Sequence, residues 1–150
     1  LSEYKGWRSG LSAFDCFVGL LVFDAAIGNT DRHHENWAVV EETRRLTPSF
    51  DHGASLGFNA SPRQMASVER YSKMAMARHF GGVDSLSELA WVGLDTVSAS
   101  VRDLWLGRVR LLDPAAVTSI VSAVPAGWMS EVRRTFVVEL LIENRRRLLR

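Results

Sequence analysis

The stretch from Ser12 to Asn29 leaves this chain little choice of architecture. Ser12-Ala13-Phe14-Asp15 has the form of a helix-capping box, a hydroxyl followed three residues later by a carboxylate. Phe14, Phe17, Val18, Leu21, Val22 and Ala25 then recur at helical spacing, and Leu20, Phe23 and Ile27 extend the apolar surface around most of the circumference. A helix apolar on nearly every side belongs at the centre of a domain. Gly28 and Asn29 tolerate the positive φ that ends such a helix. The chain is therefore expected to fold around one buried helix, whose C-terminal end releases a loop from a rigid support.

That loop reads Gly28-Asn29-Thr30-Asp31-Arg32-His33-His34-Glu35-Asn36, with a carboxylate five residues before an amide. A second carboxylate follows in Pro48-Ser49-Phe50-Asp51-His52-Gly53. Between them Trp37 to Val40 is short and apolar, Glu41-Glu42-Thr43-Arg44 is polar, and Arg45 to Phe50 carries Leu46 and Phe50 around a proline. The pattern predicts a two-stranded hairpin, with Pro48 confining the second strand to an edge or a bulge. Asn36 at the start of one strand and Asp51 at the end of its antiparallel neighbour then return to the same end. Such a set suits phosphoryl transfer, which asks a protein mainly for positioning and charge neutralisation. Asp31 would orient the attacking hydroxyl and accept its proton. Asn36 and Asp51 offer the hard oxygens that magnesium prefers when it bridges nucleotide phosphates.

Asp31 to Asn36 keeps the D-x-x-x-x-N interval of the protein kinases, and Phe50-Asp51-His52-Gly53 is a variant of their D-F-G. The loop from Gly28 to Asn36 resembles the catalytic loop of the HipA-like kinases, N-T-D-x-H-x-x-N, and shares D-R-H-x-x-N with the phosphoinositide kinases. Phe50-Asp51-His52-Gly53-Ala54-Ser55-Leu56-Gly57 resembles the phosphoinositide kinase metal loop, D-F-G-H-x-L-G, with His52 in place of the phenylalanine. The resemblance covers residues 11 to 58, and beyond them only a general C-terminal-lobe pattern. It implies a mainly α fold with a small β-hairpin, the C-terminal helical lobe of a protein kinase-like fold. It also implies ATP and Mg²⁺ as cofactors, with Asp31 as base, His33 in support, and Asn36 and Asp51 binding the metal and nucleotide. The implied acceptor is a serine or threonine of a protein substrate, with a lipid or small molecule as the alternative. HipA-like kinases often act in toxin–antitoxin pairs, so an antitoxin subunit is an implied partner. No G-x-G-x-x-G loop precedes the motifs, and Lys5 is the only lysine before them. Residues 1–150 thus read as a single domain, a C-lobe fragment whose N-lobe comes from upstream or from another subunit. By itself it is expected to bind nucleotide weakly and to turn over slowly or not at all.

Composition narrows the setting. A formal net charge of +1 makes no electrostatic case for nucleic acid or an acidic membrane. Asp15 and Asp24 interrupt the longest apolar run, so no membrane span is expected. Cys16 stands alone and cannot form an internal disulfide, which fits a reducing, cytoplasmic compartment. The chain begins at Leu1 without a signal-like region and reads as a fragment or a processed piece.

The remaining segments are chiefly structural. Leu1 to Gly10 reads as an entering loop, with Trp7 packed on the first helix. Ala54 to Arg63 reads as a loop; Ser61-Pro62 then starts an amphipathic helix through Met65, Val68, Tyr71, Ser72 and Ala75, ending at Gly81-Gly82. Its Arg63, Arg70, Lys73, Arg78 and His79 suit either a solvated face or an acidic substrate. Ser85, Asp113 and Ser130 cap later helices. Val117, Ile120, Val121 and Val124 are expected inward on the second of these, Phe136, Val137, Leu140, Leu141 and Leu148 on the third. Glu143 should pair with Arg147. Asp31 also suits an ordinary turn, and His33, His34 and Glu35 a transition-metal loop, although adjacent histidines seldom reach one ion. A kinase-derived lobe that only binds a partner is the non-enzymatic alternative.

Overall fold

A computed structural model describes residue 1 and residues 3–150. Helix α1 spans Ala13–Ile27, and both halves of its capping box form: Ser12 Oγ accepts from the Asp15 amide, and the Asp15 carboxylate accepts from the Ser12 amide at 2.9 Å. Gly28 ends the helix at φ 69° and donates its amide to the Asp24 carbonyl. Val18, Leu20, Leu21, Val22, Ala25 and Ala26 are buried, each larger aliphatic side chain contributing about 1.5–3 kcal/mol on transfer from water. Burial does not run all round, however. Phe14 and Phe23 are exposed, so the apolar circumference exceeds what the neighbouring elements cover.

Four further long helices follow, α4 (Leu86–Thr96), α5 (Ala99–Arg110), α6 (Pro114–Ser122) and α7 (Glu131–Leu148), with α6 lying against α7 and the short α2 and α3 coming between the hairpin and α4 in the chain. Ser85, Ser98, Asp113 and Ser130 cap these four, each accepting from a backbone amide in the first turn. Helix α1 packs on α4, α5 and α7. Gly19 permits the close passage of Trp105 from α5, since a Cβ there would come within 2.6 Å of the indole. Phe136, Val137, Leu140 and Leu148 of α7 are buried as expected, while Leu141 is only half-buried. On α6 Ile120 faces solvent, leaving Val117 and Val121 as its buried pair. Glu143 bonds chiefly to Arg146, at 2.7 Å, with Arg147 at 3.7 Å.

Three segments differ from the sequence reading. Strands β1 (Val39–Val40) and β2 (Arg45–Leu46) pair antiparallel, Val39 opposite Leu46, but are only two residues long. The turn between them places Arg44 at φ 53°, and Pro48 lies beyond the ladder altogether. Leu1 to Gly10 is not only a loop, because Lys5 donates to the Arg44 carbonyl at 2.8 Å and accepts from the Leu46 amide at 2.9 Å, laying a short extended segment beside β2. The expected helix after Ser61 is two pieces, α2 (Pro62–Met65) and α3 (Val68–Met74), broken at Ala66-Ser67. Trp7 packs beside Trp105, ring centroids 6.4 Å apart, in the cluster that buries Cys16.

The C-terminal end of α1 is fixed by Asn144 of α7. Its buried Nδ2 donates to the Ala26 carbonyl at 3.1 Å, and its Oδ1 accepts from Ser72 Oγ of α3 at 2.6 Å. A single amide thus ties three helices at the point where the loop emerges.

Candidate active site

Asp24 is the one charged residue on the inward side of α1, and it organises everything downstream. Its carboxylate, 2% exposed, accepts from Arg32 Nη2 at 2.6 Å and Nε at 2.7 Å, and from Asn29 Nδ2 at 2.8 Å. Arg32 is equally buried. Its remaining donors reach the Asn36 carbonyl, the Phe50 carbonyl at 3.2 Å and Ser49 Oγ at 3.0 Å. One guanidinium therefore joins helix α1, the loop at Asn36 and the segment immediately before Asp51. Two-residue strands are too short to do this alone; a planar five-donor group with a neutralising partner can.

Around that hub the four sequence-predicted site residues fall as follows. Asp31 stands at the surface with its side chain 42% exposed, and Oδ1 accepts from His79 Nε2 at 2.8 Å. Asn36 is buried; its Nδ2 donates to the Asp31 carbonyl at 2.5 Å, so its amide is oriented and Oδ1 is left as the oxygen free to act as a ligand. Asp51 is exposed, takes φ 53°, and makes no side-chain hydrogen bond among the described residues. A left-handed conformation at a non-glycine residue costs of the order of 1 kcal/mol, least for Asp and Asn, and such strain gathers at functional sites. His33 Nδ1 accepts from the Glu35 amide at 3.2 Å, while its ring lies edge-to-face on His79 with centroids 5.3 Å apart. His33 thus steadies the loop and backs the histidine that holds Asp31. His34 and Glu35 are exposed, and no group of three metal-ligating His, Cys, Asp or Glu side chains occurs among the described residues.

His52, in the place of the D-F-G phenylalanine, packs on Phe23 and does not contact Asp51 through a side-chain hydrogen bond among the described residues. Its ring sits edge-to-face on Phe23 at 5.2 Å, and Nε2 lies 2.5 Å from Ser49 Oγ, which links it to Arg32. The roles that sequence reasoning missed are those of Asp24 and Arg32 as the joining pair and of His79, read there only as part of a basic face, as the partner of Asp31. A lone carboxylate inside an otherwise apolar helix was a usable signal for Asp24. Nothing local marks His79, which meets Asp31 across 48 residues of chain.

Beside Asp31, on the Thr30 side, opens a groove of about 560 Å³, bounded by Arg63, Arg70, Tyr71, Met74, Met76 and Arg78. Burial pushes the Tyr71 phenol above its ordinary range. Neither Asn36 nor Asp51 lines this groove.

The crystal structure of CtkA, a proinflammatory kinase of Helicobacter pylori, superposes on 91% of this chain with a TM-score of 0.60 and 21% sequence identity. The fold is that of a helical kinase lobe, seven helices with a two-stranded hairpin among the described residues. The match takes in 50% of the CtkA chain, so these residues span about half its length. No protein-family profile matches the sequence, and no curated protein does. Within this kinase-like fold, Arg32 links the α1 terminus, the loop to Asn36 and the segment before Asp51. No helix among the described residues is long and apolar enough to cross a membrane.

The donor set at the metal position fits a hard dication. Asp51 offers an unpartnered carboxylate and Asn36 an oriented amide oxygen, both hard donors of the kind Mg²⁺ takes.

Proposed function

We propose that this kinase lobe catalyses ATP- and Mg²⁺-dependent transfer of a phosphoryl group to a hydroxyl, a serine or threonine of a protein, in the manner of the HipA-like kinases its loop resembles. The observation that carries the reading is the arginine hub. A buried guanidinium, neutralised by Asp24, fixes the segments bearing Asp31, Asn36 and Asp51 relative to one another. Supporting it are the half-exposed Asp31 carboxylate bonded to His79, the Asn36 amide oriented by the Asp31 carbonyl, and the left-handed, unpartnered Asp51.

In this reading Asp31 accepts the proton of the attacking hydroxyl at Oδ2, because Oδ1 is taken by His79. His79 is the positioning residue for that carboxylate, and His33 braces it. Asn36 and Asp51 would hold Mg²⁺, which supplies charge neutralisation for the nucleotide phosphates. The lobe that covers those phosphates, from this polypeptide or from a partner subunit, belongs to the same proposal.

The test is a thermal-shift measurement with ATP and Mg²⁺ on the full-length protein, its Asp51→Ala variant and its Asp31→Asn variant. A ligand that binds only the folded state at about a hundred times its Kd adds about 2.7 kcal/mol. The native protein and Asp31→Asn should both shift, and Asp51→Ala should not. Radiolabelled ATP should mark protein in a cell extract with the native protein alone. Equal shifts in all three would remove Asp51 from the metal, no shift in any would reduce the lobe to a binding module, and label in lipid vesicles alone would overturn the protein acceptor.

A further inference from the structure

The groove beside Asp31 has a chemistry of its own. Arg63, Arg70 and Arg78 reach it from α2, from α3 and from the segment after α3, and all three are exposed. Among the described residues none of the three makes a salt bridge or a side-chain hydrogen bond, whereas Arg32, Arg44, Arg102, Arg134, Arg146 and Arg147 all have carboxylate partners. Three guanidinium groups left unpaired around one concavity attract anions. Met74 and Met76, 62% and 57% exposed, add unbranched thioether side chains that adapt to varied partners.

Position selects among the anions. Thr30 lines the groove and is covalently joined to Asp31, while Arg78 adjoins His79, the residue that holds the Asp31 carboxylate. Asn36 and Asp51, the residues suited to metal and nucleotide, do not line it. Asp31 and His79 do not themselves line the groove, but Thr30 and Arg78, their chain neighbours, do, which puts it one residue from the carboxylate proposed as base and away from the proposed metal ligands. A duplex or a long single strand needs a continuous basic track, and a chain of formal net charge +1 with three clustered arginines does not provide one. The cations lie in a concavity rather than along a protruding amphipathic face, which also disfavours a lipid surface.

We propose that this groove docks an acidic peptide segment of the protein acceptor, with Arg63, Arg70 and Arg78 pairing with Asp or Glu side chains that flank the serine or threonine. The inference rests on the phosphoryl-transfer reading for its acceptor, but docking can be measured without ATP.

The experiment uses fluorescence anisotropy on the full-length Asp31→Asn protein. The probes are a labelled twelve-residue peptide with one serine flanked by Asp and Glu, and the same peptide with Asn and Gln instead. The acidic peptide should bind at least tenfold more tightly than the neutral one, and Arg63→Glu/Arg70→Glu should abolish the difference while leaving the melting temperature within 2 °C or so, since both side chains are exposed. Raising salt from about 50 to 200 mM should weaken the acidic peptide alone. Equal binding of the two peptides, or a preference that survives the double charge reversal, overturns the proposal. So does competition by a twelve-nucleotide single strand or by phosphatidylserine vesicles stronger than that of unlabelled acidic peptide. Peptide binding without an ATP and Mg²⁺ shift would sink the catalytic reading and keep the groove; the reverse would sink the groove alone.

Discussion

Neutralising Asp24 tests the hub most directly. Asp24 and Arg32 are 2% and 4% exposed, with nitrogen–oxygen distances of 2.6 and 2.7 Å. Asp24→Asn keeps the shape but leaves a buried guanidinium without its counter-charge, and breaking a buried pair from one side costs about 3–5 kcal/mol. For a domain of this size each kcal/mol lowers Tm by roughly 2–4 °C, so a fall of roughly 6–20 °C is expected. Arg32→Met should cost at least as much, because it strands the Asp24 carboxylate and also frees the Asn36 and Phe50 carbonyls. The double variant removes both charges together and should recover about 2 kcal/mol or more relative to the sum of the singles, a coupling readable by urea titration of all four proteins. It should not recover the ATP and Mg²⁺ thermal shift, since only the two-residue ladder and the Thr47 amide bond to the Ala38 carbonyl then join the Phe50 segment to the Asn36 loop. A coupling within about 0.5 kcal/mol of zero would mean the two residues act independently, and the hub argument would fail.

Asn144→Leu leaves Ser72 Oγ and the Ala26 carbonyl without partners, and a loss of about 2–4 kcal/mol in urea unfolding is expected; less than about 1 kcal/mol would deny the clamp. Asp51→Gly relieves the left-handed strain at φ 53° and should hold or raise stability, by up to about 1 kcal/mol, while abolishing the metal-dependent shift; clear destabilisation would show that Asp51 is structural. Glu143 is held below the ordinary carboxylate range by its hydrogen bond from Arg146, then by the nearby charges of Arg146 and Arg147. Its contribution is complete above the ordinary glutamate value of about 4.3 and fades as pH falls through the depressed folded value, so Glu143→Gln should flatten Tm against pH only on that acid limb. Parallel curves would count against the bond.

The local signals were written plainly in the chain. The Ser12 box, the apolar run and Gly28 specify α1 because capping and periodicity are short-range properties, and the same holds for the caps at Ser85, Asp113 and Ser130. Spacing also picked out Asp31, Asn36 and Asp51 as chemistry-bearing residues. How the segments carrying them are held together was not legible. The hairpin between them is only two residues a strand, and the joining falls to Arg32 and Asp24, eight residues apart and paired only once α1 is buried. His79 reaches Asp31, and Asn144 reaches Ala26, across separations no local pattern encodes. Nearest-neighbour sterics and hydrogen bonds decide where helices begin and end, whereas burial of a charge becomes favourable only when the whole fold delivers its partner. Sequence therefore determined the elements and the candidate chemistry; the tertiary structure decided which side chains hold that chemistry in place.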